Sequence, residues 1–123
     1  MSTPAGLVVQ TYGPVTVATL RESSILDLGL VERIRVALED LVVNQGRTKL
    51  VVDFAAVQQL SSSALGMLIR LSSRAKTVKG DVVLCGINAE LMKMIKITKL
   101  NKLFRIEESE SRALRSFGVT SVG

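Results

Sequence analysis

Apolar and polar positions fall into short blocks that change period along the chain. Leu7–Tyr12 and Val15–Leu20 are β-branched, apolar runs separated by Gly13-Pro14, the pattern of a hairpin. Asp27 then stands where a helix N-cap belongs, ahead of Leu28–Val43. Within that segment Leu30, Ile34, Ala37, Leu38 and Leu41 recur at helical spacing, which places Glu32, Arg33, Arg35 and Glu39 off the apolar face. Gly46 closes it. Lys49–Phe54 is a short apolar run, the signature of a strand covered on at least one face. A second helix is predicted to begin within Ser61–Ser63, with Ala64, Leu68, Leu71, Ala75 and Val78 inward and Gly80 as its stop. Asp81–Cys85 reads as the next strand. Asn88 opens a third helix with Leu91, Met92 and Ile95 inward. Leu103–Ile106 reads as a last strand and Ser109–Phe117 as a last helix.

The order is therefore ββαβαβαβα. A hairpin followed by alternating units predicts an α/β fold, a mixed β-sheet with right-handed crossovers, flanked by about four helices. The chain of 123 residues suits a single domain spanning 1–123, with a core of 7–117 and flexible ends at 1–6 and 118–123. There is no linker, low-complexity tract or internal repeat.

Composition narrows the chemistry. The chain contains no histidine and one cysteine, Cys85, so an internal disulfide is impossible and His-based metal sites and nucleophile systems are excluded. Cys85 reads as an inert buried thiol. No Gly-rich phosphate loop or motif of paired carboxylates is present, so neither an enzyme nor a resident cofactor or metal is expected. Aromatic residues make up only 3%, too few for a base-stacking surface, so nucleic acid is not the expected partner. The longest apolar runs fall far short of a membrane span and the N-terminus lacks a signal-peptide pattern, which predicts a cytoplasmic protein with no membrane insertion.

Charge is unevenly distributed. The net charge is +5, yet Met67–Arg105 carries nine basic residues against Asp81 and Glu90, a local balance of +7, and the remainder sums to −2. That stretch is either a solvated surface or a docking face for an acidic protein. Among the methionines, Met92 is expected in the core, while Met67 and Met94 could serve as core or as adaptable binding surface.

The informative segment is Val51–Leu68, VVDFAAVQQLSSSALGML. A strand ends near Asp53, a short loop follows, and three serines stand where a helix begins. Serine there can cap the helix, and the first turn tolerates a phosphate. Asp53 fits a strand-end acid that accepts backbone N–H bonds from the following loop.

This segment resembles the STAS domain, and within it the anti-sigma factor antagonists, whose pattern is a strand ending in Asp and then Asp-Ser-Ser-Gly-Leu-Gly. Asp53 matches the strand-end acid, Ser62 falls on the phosphorylated serine, Ser63 on the second serine, and Leu65-Gly66 match directly. Ser61 replaces the usual Asp and Ala64 the first glycine. Ile97–Phe104 is similar to the family's Leu-Thr-Gly-Leu-Asp-Lys-Leu-Phe segment. The resemblance covers Leu7–Phe117. It implies a non-catalytic protein-binding switch. The unphosphorylated form sequesters an anti-sigma factor that is often a GHKL-type serine kinase, phosphorylation at Ser62 (alternatives Ser61 and Ser63) releases it, and a phosphatase restores binding. The partner-binding residues so implied are Ser61, Ser62, Ser63, Asp53 and Met94, and oligomers are compatible with it. The alternative is a non-phosphorylated STAS scaffold or accessory module in a larger signalling or transporter assembly.

Overall fold

The computed structural model describes residues 6–119. β1 (Leu7–Tyr12) and β2 (Val15–Leu20) form the predicted hairpin, with Leu7 opposite Leu20 and Tyr12 opposite Val15. Gly13 adopts a positive φ of 61° in the connecting turn, a conformation that glycine reaches without a Cβ clash. β4 (Lys49–Asp53), β6 (Asp81–Cys85) and β7 (Arg105–Glu107) then add in parallel, giving the order β1-β2-β4-β6-β7. Two short strands that the hydrophobic pattern did not reveal, β3 (Ser24–Ile25) and β5 (Gln59–Leu60), pair with each other in parallel. Two-residue strands are too short to show a period.

Helices α1 (Leu28–Glu39), α2 (Ser62–Thr77), α3 (Ala89–Ile97) and α4 (Glu110–Ser116) flank the sheet. The larger core packs Leu50, Val52 and Leu84 of the strands against Ile34, Leu38, Leu68, Leu71 and Ile95 of α1 to α3. The smaller core, on the opposite face, sets Val15, Val17, Val51 and Val83 against Ala113 and Leu114 of α4. The continuous apolar runs of β4 and β6 follow from this double covering.

Several boundaries differ from the sequence reading. The first helix does not run unbroken to Val43: it becomes a π-helical turn over Asp40–Asn44. The last strand starts at Arg105, because Leu100–Lys102 form a 3-10 turn and Phe104 N–H donates to Leu100 O at 3.0 Å. Of the ends expected to be flexible, 1–5 and 120–123 lie outside the described residues. Gly118 and Val119 are tied down, donating to Arg115 O at 2.8 Å and Leu114 O at 3.0 Å, a Schellman closure with Gly118 at φ 83°.

Glu39 also departs from expectation. It is buried, 8% exposed, and lies between Arg35 at 3.2 Å, Arg70 at 3.3 Å and Arg74 at 3.5 Å. The cluster ties α1 to α2 and engages two of the cations counted in the basic stretch. Its sequence trace is a pair of i, i+4 spacings, Arg35–Glu39 and Arg70–Arg74, on helices too far apart in sequence for the pairing to be read.

Candidate functional site at the start of the second helix

The parallel strands all end on the same side of the sheet, and every long helix starts there. Each is capped by its own side chain: Asp27, Ser61, Asn88 and Ser109 accept from the N–H groups of Leu30, Ala64, Leu91 and Arg112. Each cap satisfies one of the donors that a helix start leaves unpaired.

The loop leading to α2 is held from several sides. Phe54 N–H donates to Cys85 O at 2.8 Å, and Asp53 Oδ1 accepts from Ala55 N–H at 2.9 Å. Gln58 and Gln59 N–H both donate to Ser23 O, and Ser61 N–H donates to Ile25 O at 3.0 Å. Asn88 Nδ2 reaches Val57 O at 3.3 Å. The β2–α1 connection and the start of α3 therefore fix where α2 begins.

Gly86 makes this packing possible. Its φ is +71°, and a Cβ there would lie 2.7 Å from Asp53 Oδ1 and 2.9 Å from Ala55 N. Sequence reasoning passed over Gly86. Its only signal was a glycine directly after a strand-ending residue.

The three serines take distinct positions. Ser61 Oγ is the N-cap, accepting from Ala64 N–H at 3.1 Å. Ser61 thus supplies the structural hydroxyl of the first turn. Ser62 is the first helical residue and exposed, and its hydroxyl bonds to no described residue. Ser63 is half-buried. The Ser62 and Ser63 N–H groups lie in the first turn of a helix with no acidic residue to neutralise its positive end.

The two departures from the resembled motif keep the helix start intact, although Ser61 removes a negative charge from it. Serine and aspartate cap helices about equally well, so Ser61 fills the capping role. The Ala64 side chain is fully buried, so its methyl group points into the core.

Asp53 is 7% exposed and set back below the serine turn, where it supports the loop. Met94 lines a shallow groove of about 370 Å³ with Leu26, Gln58, Gln59, Leu60 and Lys93. The groove adjoins Ser61 through Leu60, so Met94 joins the serines at the same end of the molecule. Met67 is core, 5% exposed, and Met92 is half-buried against the core.

Beside the site, buried Asp53 and Cys85 meet half-buried Glu110 and Tyr12. Burial pushes the Cys85 thiol up from its ordinary range, and Asp53 and Glu110 add to the effect. Cys85 is thereby an unreactive thiol. Burial and then the Asp53 carboxylate also raise Glu110, while the Tyr12 hydroxyl partly offsets them. No group of ligands that could hold a metal occurs among the described residues.

The sequence profile of the STAS domain family matches residues 7–113. The chain belongs to the STAS domain family. Its five-stranded, mostly parallel sheet and four helices match the STAS fold, and the family is one of non-catalytic binding domains. Three solved structures are similar to this STAS chain. An anti-sigma factor antagonist from Mycobacterium paratuberculosis is 23% identical with a TM-score of 0.77, over 94% of this chain and 97% of that one. An anti-sigma-factor antagonist (STAS) domain protein from Planctomyces limnophilus is 18% identical with a TM-score of 0.73, over 89% and 95%. The Bacillus cell fate determinant SpoIIAA in its phosphorylated form is 19% identical with a TM-score of 0.68, over 90% and 98%. At these identities the likeness is one of fold. No helix among the described residues is long and apolar enough to cross a membrane.

Proposed function

We propose that this STAS chain is a single-domain, cytoplasmic anti-sigma factor antagonist with Ser62 as its switch. The observation that carries the reading is the division of labour among the serines. Ser61 is engaged as the cap, whereas the Ser62 hydroxyl is exposed, unbonded and at the positive end of a helix. Unphosphorylated, the chain sequesters an anti-sigma factor of the GHKL serine-kinase type. Contacts come from Ser62 and Ser63 and from the groove that contains Met94, while Ser61 and Asp53 hold that surface in place. The kinase transfers the γ-phosphoryl of ATP to Ser62 Oγ, leaving ADP, and a phosphatase hydrolyses the ester to restore the binding form.

The phosphate adds a charge of about −1.5 to −2. At a helix N-terminus that charge is favoured by about 0.3–1 kcal/mol, so the domain stays folded. Release arises at the interface, where a bulky dianion meets a surface that had fitted a hydroxyl. Moving a partner from 1:99 to 99:1 needs about 5.5 kcal/mol, within the range of a buried, mispaired charge.

The test is incubation with the GHKL kinases of the same genome and ATP, followed by mass-spectrometric mapping. Phosphate on Ser62, abolished by Ser62→Ala, is the expected result. Ser62→Asp is expected to weaken binding to that kinase while leaving the melting temperature near wild type. Absence of phosphate with every active kinase would favour the non-phosphorylated scaffold.

A further inference from the structure

Beyond the serine site, the opposite end of the sheet gathers cations that are scattered in sequence. Lys49 opens β4 and lies opposite Asp81, which opens β6. Arg47 precedes Lys49 in the turn from α1. Lys76 lies in the last turn of α2 and Lys79 in the turn that follows it, just ahead of Gly80-Asp81. α3 starts at the serine end, where Asn88 holds Val57 O, and runs back, so Lys96, Lys99 and Lys102 arrive at the same far end. All seven are exposed, and none of them forms a salt bridge among the described residues. Asp81 is already paired with Arg105 at 3.1 Å.

Two backbone positions reinforce the pattern. Lys79 (φ 55°) and Lys99 (φ 60°) follow helix ends in the left-handed conformation, where glycine is the usual choice and is used at Gly118. Charge is retained at both sites despite the backbone cost. Amid these lysines Ile97 is 80% exposed, the most exposed large apolar side chain described.

We propose that this end of the molecule docks on an anionic lipid surface, with the lysines over the headgroups and Ile97 entering the interface. The composition selects this occupant. Protein–protein interfaces are depleted in lysine and enriched in arginine, whereas six of these seven cations are lysines, Arg47 being the exception, and Arg70, Arg74 and Arg105 are engaged in internal ion pairs. Single-stranded nucleic acid lacks an aromatic stacking platform here. A lysine cluster with one apolar side chain suits a reversible peripheral contact that needs no spanning helix. The serine end then points away from the lipid, free to receive a protein.

The test is co-sedimentation of the full chain with vesicles of mixed phosphatidylglycerol and phosphatidylcholine, against phosphatidylcholine alone, at low and raised salt. Each lysine is expected to contribute about fivefold to partitioning. The triple variant Lys96→Glu, Lys99→Glu, Lys102→Glu is therefore expected to lose at least about 100-fold. Ile97→Ser is expected to lose roughly tenfold without changing the salt dependence. Thermal melting of each variant confirms that it is folded. Wild type that stays in the supernatant at low salt, or binding indifferent to the triple variant, would overturn the proposal. Tighter binding to a DNA duplex or to poly-glutamate than to these vesicles would also overturn it, reassigning the face to nucleic acid or to an acidic protein.

Discussion

The two ends of the five-stranded sheet are made from the same repeated unit of strand, turn and helix, yet they differ in chemistry and in how their loops are held. At the serine end, strands finish and helices begin. Capping side chains, the Asp53–Ala55 contact and the Ser23 and Ile25 carbonyls fix the loops there, and acids such as Asp53, Glu107 and Glu110 collect. At the other end, helices finish and strands begin. Its turns carry exposed lysines, two of them in left-handed conformations. The difference lies in the reach of the bonds. At the serine end the Gln58 and Phe54 N–H groups donate to Ser23 O and Cys85 O, far away in the chain, and these bonds hold one hydroxyl-bearing turn in place. At the lysine end most turns close on themselves, as Lys79 N–H to Lys76 O and Lys102 N–H to Lys99 O do, with Asp81 N–H to Thr48 O as a cross-link, and the surface they present is one of diffuse charge.

The contrast is broken most severely by Gly86→Ala. The left-handed φ alone costs about 1–3 kcal/mol, and the methyl group also meets Asp53 and the Ala55 amide. The urea midpoint is expected to fall accordingly; an unchanged midpoint would show that the close packing at the serine end is not what holds it. Next is Ser61→Ala, which removes the α2 cap. A loss of about 0.5–2 kcal/mol in chemical denaturation is expected, with Ser61→Asp near wild type. Equal losses in both would remove the capping role.

At the lysine end the sign reverses. Lys99→Gly relieves the left-handed backbone and is expected to stabilise the fold by about 0.5–1 kcal/mol while lowering vesicle binding. Destabilisation by this change would mean that the Lys99 side chain has a structural task.

The smallest effect concerns Glu110. Its folded-state pKa is raised above the ordinary 4.5, so the carboxylate is held at a cost at neutral pH. That cost fades as pH falls through the raised value and is gone below the unfolded one. Glu110→Gln should therefore raise the melting temperature at neutral pH and lose its advantage in acid. A pH-independent difference would contradict the partial burial of that carboxyl beside Asp53.

The local pattern along the chain was enough to place the hairpin, β4, β6 and all four helices, and to pick Asp27, Asn88 and Ser109 as helix starts. Such features depend on neighbours within a few residues: apolar spacing, a cap, a glycine stop. The serine turn was legible for the same reason, although its three hydroxyls looked alike. Only the fold separated them, because the capping role follows from where the pinned loop lets α2 begin. Glu39 looked like solvent-facing charge, since periodicity on α1 cannot reveal Arg70 and Arg74 on another helix. The basic stretch looked continuous for a related reason. Sequence proximity records how many charges a segment holds, whereas direction through the sheet decides at which end they emerge and which are already paired. The sequence by itself thus determined the elements and the residues available for a switch. Only the tertiary structure decided which serine is free, which cations remain unpaired, and that the serine turn and the lysine cluster face opposite ways, because these depend on contacts between segments far apart in the chain.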